Sequence, residues 1–167
     1  AAVPSVAWAK KVFPELSEEE AYDKLWEAIL YTTRVTEDPI KEWDEHNKDL
    51  EERSRYLNSL GLVELRYKSS NGTDFKVGLI EDCLFCGGGE KALGSGIYYN
   101  PNMPTEEIFT SPKKGVAEGV VYSTKPLSYR GEIIDNFSMR FEGGKVVEVH
   151  AEKNEELLKW RMKNEEW

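Results

Sequence analysis

The spacing of apolar residues changes near Gly61, and this change constrains the fold of the chain more than its other features do. Before Gly61, apolar residues recur three or four positions apart, which is the period of an amphipathic helix. After Gly61, they alternate with polar residues, which is the period of a strand with one buried face. The sequence therefore predicts helices followed by antiparallel strands, an α+β fold rather than alternating β–α–β units.

Three helices are predicted before the change in period. We expect a two-turn helix within residues 1–14, a second helix over 18–34, and a third from Pro39 to Gly61. The second begins with a capping box, in which the Ser17 hydroxyl accepts a hydrogen bond from the Glu20 N–H and the Glu20 side chain reaches back.

The rest of the chain predicts strands and one final helix. A hairpin is expected around the Asn71-Gly72 turn, and later strands are expected over 116–122, around 133–134, over 137–141 and around 147–149. We expect a single domain over residues 1–167. It has a helical part over about 1–61, an antiparallel sheet or partly open barrel over about 62–151, and a C-terminal helix over about 152–167.

Composition excludes several classes of partner. The formal net charge is −9, so the basic face that a nucleic-acid backbone requires is not expected. Neither an apolar run of about 20 residues nor a leader peptide is visible, so we expect no membrane partner and no secretion. The two cysteines do not make a disulfide framework, and a cytoplasmic location is the default expectation.

Residues 100–110, here called the proline-braced segment, carry two prolines and then the adjacent carboxylates Glu106 and Glu107. Side chains of neighbouring residues on an extended segment point to opposite faces, so one of these carboxylates is expected to face inward. An inward carboxylate is costly unless it meets a cation, a metal or several donors. Either one of the two is a metal ligand, or one is exposed and the other is in a salt bridge.

Cys83-x-x-Cys86 is followed by the glycines at 87–89. If the two cysteines were half of a zinc site, two further ligands with matching spacing would be needed, and the sequence does not offer them. A redox pair would normally stand at the start of a helix, whereas glycines follow here. We therefore expect two ordinary buried thiols. The glycine run lacks the Gly-Lys-Ser/Thr ending of a phosphate loop and predicts a close-packed loop instead. We expect His150 to be exposed or hydrogen-bonded locally, and we assign no role to His46.

The segment Asn102-Met-Pro-Thr-Glu-Glu-Ile-Phe-Thr-Ser-Pro112 resembles the signature of the thermophilic-type metalloaminopeptidases, the group of aminopeptidase T and aminopeptidase S. Pro4–Pro14, Gly131–Asp135 and Phe141–Val147 resemble further segments in the family's order, and the resemblance covers roughly residues 4–158. It implies an exopeptidase that removes N-terminal residues from peptides. Two zinc or cobalt ions would polarise the scissile carbonyl and activate a water molecule. It also implies that one of Glu106 and Glu107 is a metal ligand.

The chain departs from the family in the rest of the metal site. The family's other ligands lie in a Leu-Gly-Glu segment, an Asp-Glu-Asn segment leading to a His, and a His-x-Asp pair, and none of these is in the sequence. One carboxylate cannot hold two metal ions. We therefore expect a non-catalytic excised domain that binds no metal, used as a stand-alone or engineered scaffold or binding domain. The alternative is a metal-dependent aminopeptidase that is active only when the missing segments are present.

The final predicted helix carries Trp160 and Trp167, which are seven residues apart and so share a face. Such an aromatic stripe either covers the core or forms a binding face for a protein partner, natural or designed. No particular partner is indicated.

Overall fold

The computed structural model describes residues 3–164, which divide into two compact units. The first unit comprises the chain up to Ser59 together with Phe85–Phe109, and the second comprises Leu60–Leu84 together with the chain from Thr110 onward. Organisation as one domain stays a prediction. Within residues 3–164, the helices are all too short or too polar to cross a membrane.

The first unit begins with three helices, α1 (Val6–Val12), α2 (Glu18–Thr32) and α3 (Pro39–Ser59). The predicted capping box of α2 is confirmed, with both the Ser17 and the Glu20 hydrogen bonds present. Helices α1 and α2 pack through a small apolar core of Ala9, Ala21 and Leu25.

Short strands complete the first unit. Strand β3 (Cys86–Gly87) pairs with β6 (Ile108–Phe109), and β4 (Glu90–Lys91) pairs with β5 (Tyr98–Tyr99). Both β3 and β6 lie against α3. This arrangement brings the end of the proline-braced segment beside the long helix.

The second unit is built on an antiparallel sheet, and the predicted α+β class is confirmed. Its strands are β1 (Glu64–Lys68), β2 (Asp74–Leu79), β7 (Pro112–Tyr122), β8 (Leu127–Tyr129), β9 (Glu132–Glu142) and β10 (Lys145–Lys153). The strand order is β1-β2-β7-β9-β10, and β8 pairs with β9. The sheet is open, because its edge strands β1 and β10 do not pair with each other. Helix α4 (Glu155–Asn164) packs against β9 and β10 through the buried Leu158.

Three details of the second unit differ from the prediction. The strands expected around 133–134 and over 137–141 are one continuous strand, β9, and the short strand β8 that pairs with it was missed. The last helix begins at Glu155 rather than near 152, because β10 continues to Lys153. Asn154 then turns the chain with a φ of +60°, and its side chain donates to the Ile133 carbonyl at 2.8 Å.

Candidate functional site

One face of α3 is buried and carries both apolar and polar side chains. Trp43, Asn47, Leu50 and Ser54 follow one another at helical spacing, and each is at most 8% exposed. The Trp43 indole donates to the Thr33 carbonyl at 2.8 Å. This face positions the segment that carries the two candidate carboxylates.

The proline-braced segment is tied to α3 by a pair of amides. The Asn47 side chain donates to Asn100 Oδ1 at 3.0 Å, and the Asn100 side chain donates to Asn47 Oδ1 at 2.8 Å. A buried amide is costly unless its donors and acceptors are paired, and this reciprocal arrangement satisfies one donor and one acceptor on each side. The start of the segment is therefore fixed relative to the helix.

A second set of contacts holds the middle of the segment. Nη2 of Arg34 lies 2.7 and 2.8 Å from the two carboxylate oxygens of Glu106. Nε2 of His46 lies 2.6 Å from the Thr105 carbonyl oxygen and 3.7 Å from Glu106 Oε2. Because a carbonyl oxygen only accepts, Nε2 of His46 carries the proton and donates it to Thr105.

Glu107 differs from its neighbour in having a free carboxylate. Both carboxylates are exposed, so the expectation that one of them faces inward is wrong. The Glu107 side chain has no hydrogen-bond or ion-pair partner within residues 3–164. Ile108 is half-buried and Phe109 is exposed, which is the alternation of an extended strand. Glu107 lies just before strand β6, and both oxygens of Glu106 are held by Arg34.

These residues fit one ligand of a metal centre rather than a complete one. In the described part of the chain, no three His, Cys, Asp or Glu side chains lie close enough together to hold a metal ion. Nε2 of His46 is engaged by the Thr105 carbonyl, and Glu106 is engaged by Arg34. Within the proline-braced segment, Glu107 thus carries the carboxylate that has no partner among the described residues.

The glycine run at 87–89 is a close-packed loop, as predicted. A Cβ on Gly87 would lie 2.7 Å from the Glu107 carbonyl oxygen, and a Cβ on Gly89 would lie 2.4 Å from the Tyr98 ring. The prediction of two buried thiols is wrong for Cys86, which is exposed because it takes the outer position of the two-residue strand β3. Cys83 is half-buried, and both thiols are free of disulfide bonds.

The other predicted candidates lie in the second unit. His150 is exposed, and its Nε2 lies 2.9 Å from the Glu148 carboxylate, which confirms a local hydrogen bond. Trp160 is 40% exposed, and the Arg130 guanidinium lies 4.1 Å from the centre of its ring. Trp167 lies outside the described residues, so a shared binding face with Trp160 stays a prediction.

Sequence reasoning missed two residues that hold the segment, Arg34 and His46. His46 follows Trp43 by three positions and precedes Asn47, so it lies beside the buried face of α3. This position could have indicated that its side chain makes a contact within the fold. Arg34 offered no such signal, because it lies beyond the end of α2 and contacts a residue 72 positions away.

The chain is similar to known proteins of one family. A family model described as "Thermophilic metalloprotease (M29)" matches residues 1–166. "Aminopeptidase AmpS" of Bacillus subtilis (strain 168) is 45% identical over 163 residues, which are 97% of this chain and 39% of that protein. "Aminopeptidase T" of Thermus thermophilus is 48% identical over 153 residues, which are 91% of this chain and 37% of that protein.

A solved structure is also similar. "Wild-type AmpT from Thermus thermophilus" superposes with a TM-score of 0.87 at 43% identity, over 98% of this chain and 39% of that one. The chain thus spans about two-fifths of the length of the relatives that it matches.

Proposed function

Since the chain belongs to the thermophilic metalloprotease (M29) family, we propose that it is the part of a metal-dependent aminopeptidase that supplies one metal ligand, Glu107. One observation carries the choice of residue. Both carboxylates are exposed, but Arg34 holds both oxygens of Glu106, whereas the Glu107 carboxylate has no partner among the described residues. The aminopeptidase names of the relatives support the reaction class.

The metal ions, proposed to be zinc or cobalt, would supply Lewis acidity toward a peptide carbonyl and a water molecule of lowered pKa. The residues of this chain position the proposed ligand. His46 holds the backbone carbonyl of Thr105, Arg34 holds the side chain of Glu106, and Glu107 follows them in an exposed position. A ligand held in this way loses little freedom on binding, which favours metal affinity.

We propose further that the chain by itself does not hydrolyse peptides. A catalytic zinc ion generally has three protein ligands, and the described residues bring fewer than three suitable donors together. The second candidate function is a working aminopeptidase that is completed by further ligand-bearing segments, and the identity of 45% to "Aminopeptidase AmpS" favours it for the longer protein. Peptides are the proposed substrates. Neither Cys83 nor Cys86 is in a disulfide bond, which fits a reducing compartment such as the cytoplasm.

Turnover of an aminoacyl reporter tests the proposed inactivity. We expect no hydrolysis by the purified chain with added cobalt or zinc. Turnover that a chelator abolishes would show that the chain is catalytic as it is.

Paramagnetic broadening tests the proposed ligand. Because a single carboxylate binds a metal ion only weakly, Co²⁺ added in large excess should be needed to broaden the amide signals of residues 106–109 in the wild-type chain. Glu107→Gln should remove this broadening, and the matched variant Glu106→Gln should keep it. The reverse result, with broadening lost in Glu106→Gln alone, would assign the ligand to Glu106.

A further inference from the structure

The sheet of the second unit ends in two edge strands, β1 and β10, which differ in how they are protected. Strand β10 contains a bulge between Val146 and Glu148, and α4 packs against it. Strand β1 pairs with β2 in one unbroken register from Glu64 to Lys68 and contains no proline. Proteins commonly protect edge strands against pairing by bulges, prolines or covering elements. Because β1 has neither a bulge nor a proline, its outer edge is open to pairing with another strand.

The backbone groups of alternate β1 residues point away from β2. The Leu79 N–H donates to the Val63 carbonyl at 2.9 Å, and the Ser69 N–H donates to the Thr73 carbonyl at 3.0 Å. Hydrogen-bonded and non-hydrogen-bonded pairs alternate along an antiparallel ladder, so the odd-numbered residues of β1 face β2. The residues whose N–H and C=O groups point to the open edge are therefore Glu64, Arg66 and Lys68.

These outward groups match those of a second copy of β1. If two copies lie antiparallel about a two-fold axis at Arg66, each Arg66 faces the other, and Glu64 of one copy faces Lys68 of the other. All of these residues point outward, so the three facing pairs exchange about six hydrogen bonds. A shift by one residue would set outward groups against inward ones. A shift by two residues would leave part of the five-residue strand unpaired.

The charges of β1 are complementary in the same register. Glu64 of each copy lies beside Lys68 of the other, which gives two opposite-charge pairs across the axis. The two Arg66 side chains meet at the axis, and each has a counter-ion in its own chain, since Arg66 Nε lies 2.5 Å from Glu64 Oε1. Charged side chains on an edge normally discourage pairing. Here they attract a second copy at both ends of the strand.

The apolar side chains of β1 continue across the same axis. Leu65 and Tyr67 lie on the face opposite to the charges, and Tyr67 is 49% exposed. In the register about Arg66, Leu65 of one copy lies beside Tyr67 of the other. Within one chain, an aromatic row already runs from Tyr67 to Phe75 and on to Phe141, with ring centres 6.1 and 5.0 Å apart. Pairing would cover the exposed ring and extend this row through both sheets.

We propose that two copies of this chain associate through β1 and join their sheets into one antiparallel sheet, with a two-fold axis at Arg66. The contact is isologous, because the same strand serves both copies. It requires neither a metal ion nor a peptide, so it is independent of the proposed function. A five-residue strand makes a small interface, so we expect association in the micromolar to millimolar range of concentration.

Sedimentation of the intact chain tests this association. The average mass should rise from 19.1 kDa toward twice that value as the concentration increases from about 1 µM to about 1 mM. Lys68→Glu makes both charge pairs across the axis repulsive, and it should weaken association about tenfold. Adding Glu64→Lys to Lys68→Glu restores opposite charges and should restore the affinity. The matched control Lys76→Glu reverses a charge on the same face of β2, away from the edge, and should change the affinity little.

A disulfide cross-link tests the register. Facing Cα atoms of a hydrogen-bonded antiparallel pair lie about 5.5 Å apart, which a disulfide can span. In a chain with Cys83 and Cys86 replaced by serine, Arg66→Cys should give a covalent dimer when an oxidant is added. The matched control Lys76→Cys lies one strand further in and should stay monomeric under the same conditions.

Three results would overturn the proposal. These are a mass of 19.1 kDa at every concentration, equal effects of Lys68→Glu and Lys76→Glu, and equal cross-linking of Arg66→Cys and Lys76→Cys. Within its own chain, Lys68→Glu loses one exposed ion pair, with Asp74, so we expect this variant to fold.

Discussion

At the scale of single residues, the molecule uses polar contacts over long sequence separations to fix one short segment. His46 reaches a carbonyl 59 positions away, and Asn47 reaches an amide 53 positions away. The sequence predicted that one of two adjacent glutamates is exposed and the other salt-bridged, as one of two alternatives, and the contacts have this form. It did not predict Arg34 as the partner, because the pairing depends on how distant parts of the first unit meet.

The amide pair of Asn47 and Asn100 should be energetically coupled. Asn47→Ala leaves the Asn100 amide without its partner, so we expect a loss of about 1–3 kcal/mol in the free energy of unfolding. The double variant with Asn100→Ala should lose less than the sum of the two single variants, by at least about 0.5 kcal/mol. Urea denaturation of the four proteins measures this difference. Strict additivity would mean that the reciprocal hydrogen bonds do not stabilise the fold.

Ser54→Ala should stabilise the chain. The substitution removes a buried hydroxyl without a partner and adds a residue of higher helix propensity, so we expect a gain of about 1 kcal/mol. The control Ser59→Ala removes an exposed hydroxyl that donates to the Tyr56 carbonyl, and it should not stabilise. A lower thermal midpoint for Ser54→Ala would indicate that the hydroxyl already has a partner in the folded chain.

At the scale of elements, local signals predicted the long helices and strands and missed the short ones. The capping box identified the start of α2, and alternation identified β1 and β2. Strand β8 has three residues, too few for a period to show, and it forms because its partner β9 offers an adjacent edge. The pattern also did not show that β9 runs unbroken, since Asn136 interrupts its alternation with a φ of +46°.

The capping box of α2 should make stability depend on pH in the acid range. Hydrogen bonds from the Ser17 side chain, and next from its backbone N–H, lower the pKa of Glu20. A carboxyl with a lower pKa in the folded state adds stability above its unfolded pKa of about 4.3, and this is lost as the pH falls through the folded value. The difference in thermal midpoint between the wild type and Ser17→Ala should therefore be larger at pH 7 than at strongly acid pH, where only the loss of the bond from the Glu20 N–H to the Ser17 hydroxyl remains.

Glu18→Gln provides the control for this prediction. It alters a charge in the same first turn without touching the capping hydrogen bonds. A difference between wild type and Ser17→Ala that stays constant across the acid range would exclude Glu20 ionisation as its cause.

At the scale of the whole molecule, the change in apolar period was enough to predict the α+β class. It was not enough to predict which segments share a unit. Residues 85–109 lie in sequence between β2 and β7 of the sheet, yet they belong with the helices. Residues 85–109 belong to the helical unit because they pack against α3, which is distant in sequence. The spacing of apolar residues along the chain carries no information about such a contact.

We expect the two units to unfold together, as the single-domain prediction implies. Each unit is built from two separate stretches of chain, and the chain passes between the units three times. Amide signals from α3 and from β9 should then disappear at the same urea concentration, as in a two-state transition. Two separate midpoints would show two independently stable domains.

The same interleaving has a consequence during synthesis on the ribosome. Helix α3 emerges well before Phe85–Phe109, the stretch that packs against its Trp43, Asn47 and Leu50 face. At a synthesis rate of about 5–20 residues per second, this face of α3 stays exposed for several seconds before that stretch is made. During synthesis, chaperones can therefore bind a face of α3 that is buried in the folded protein.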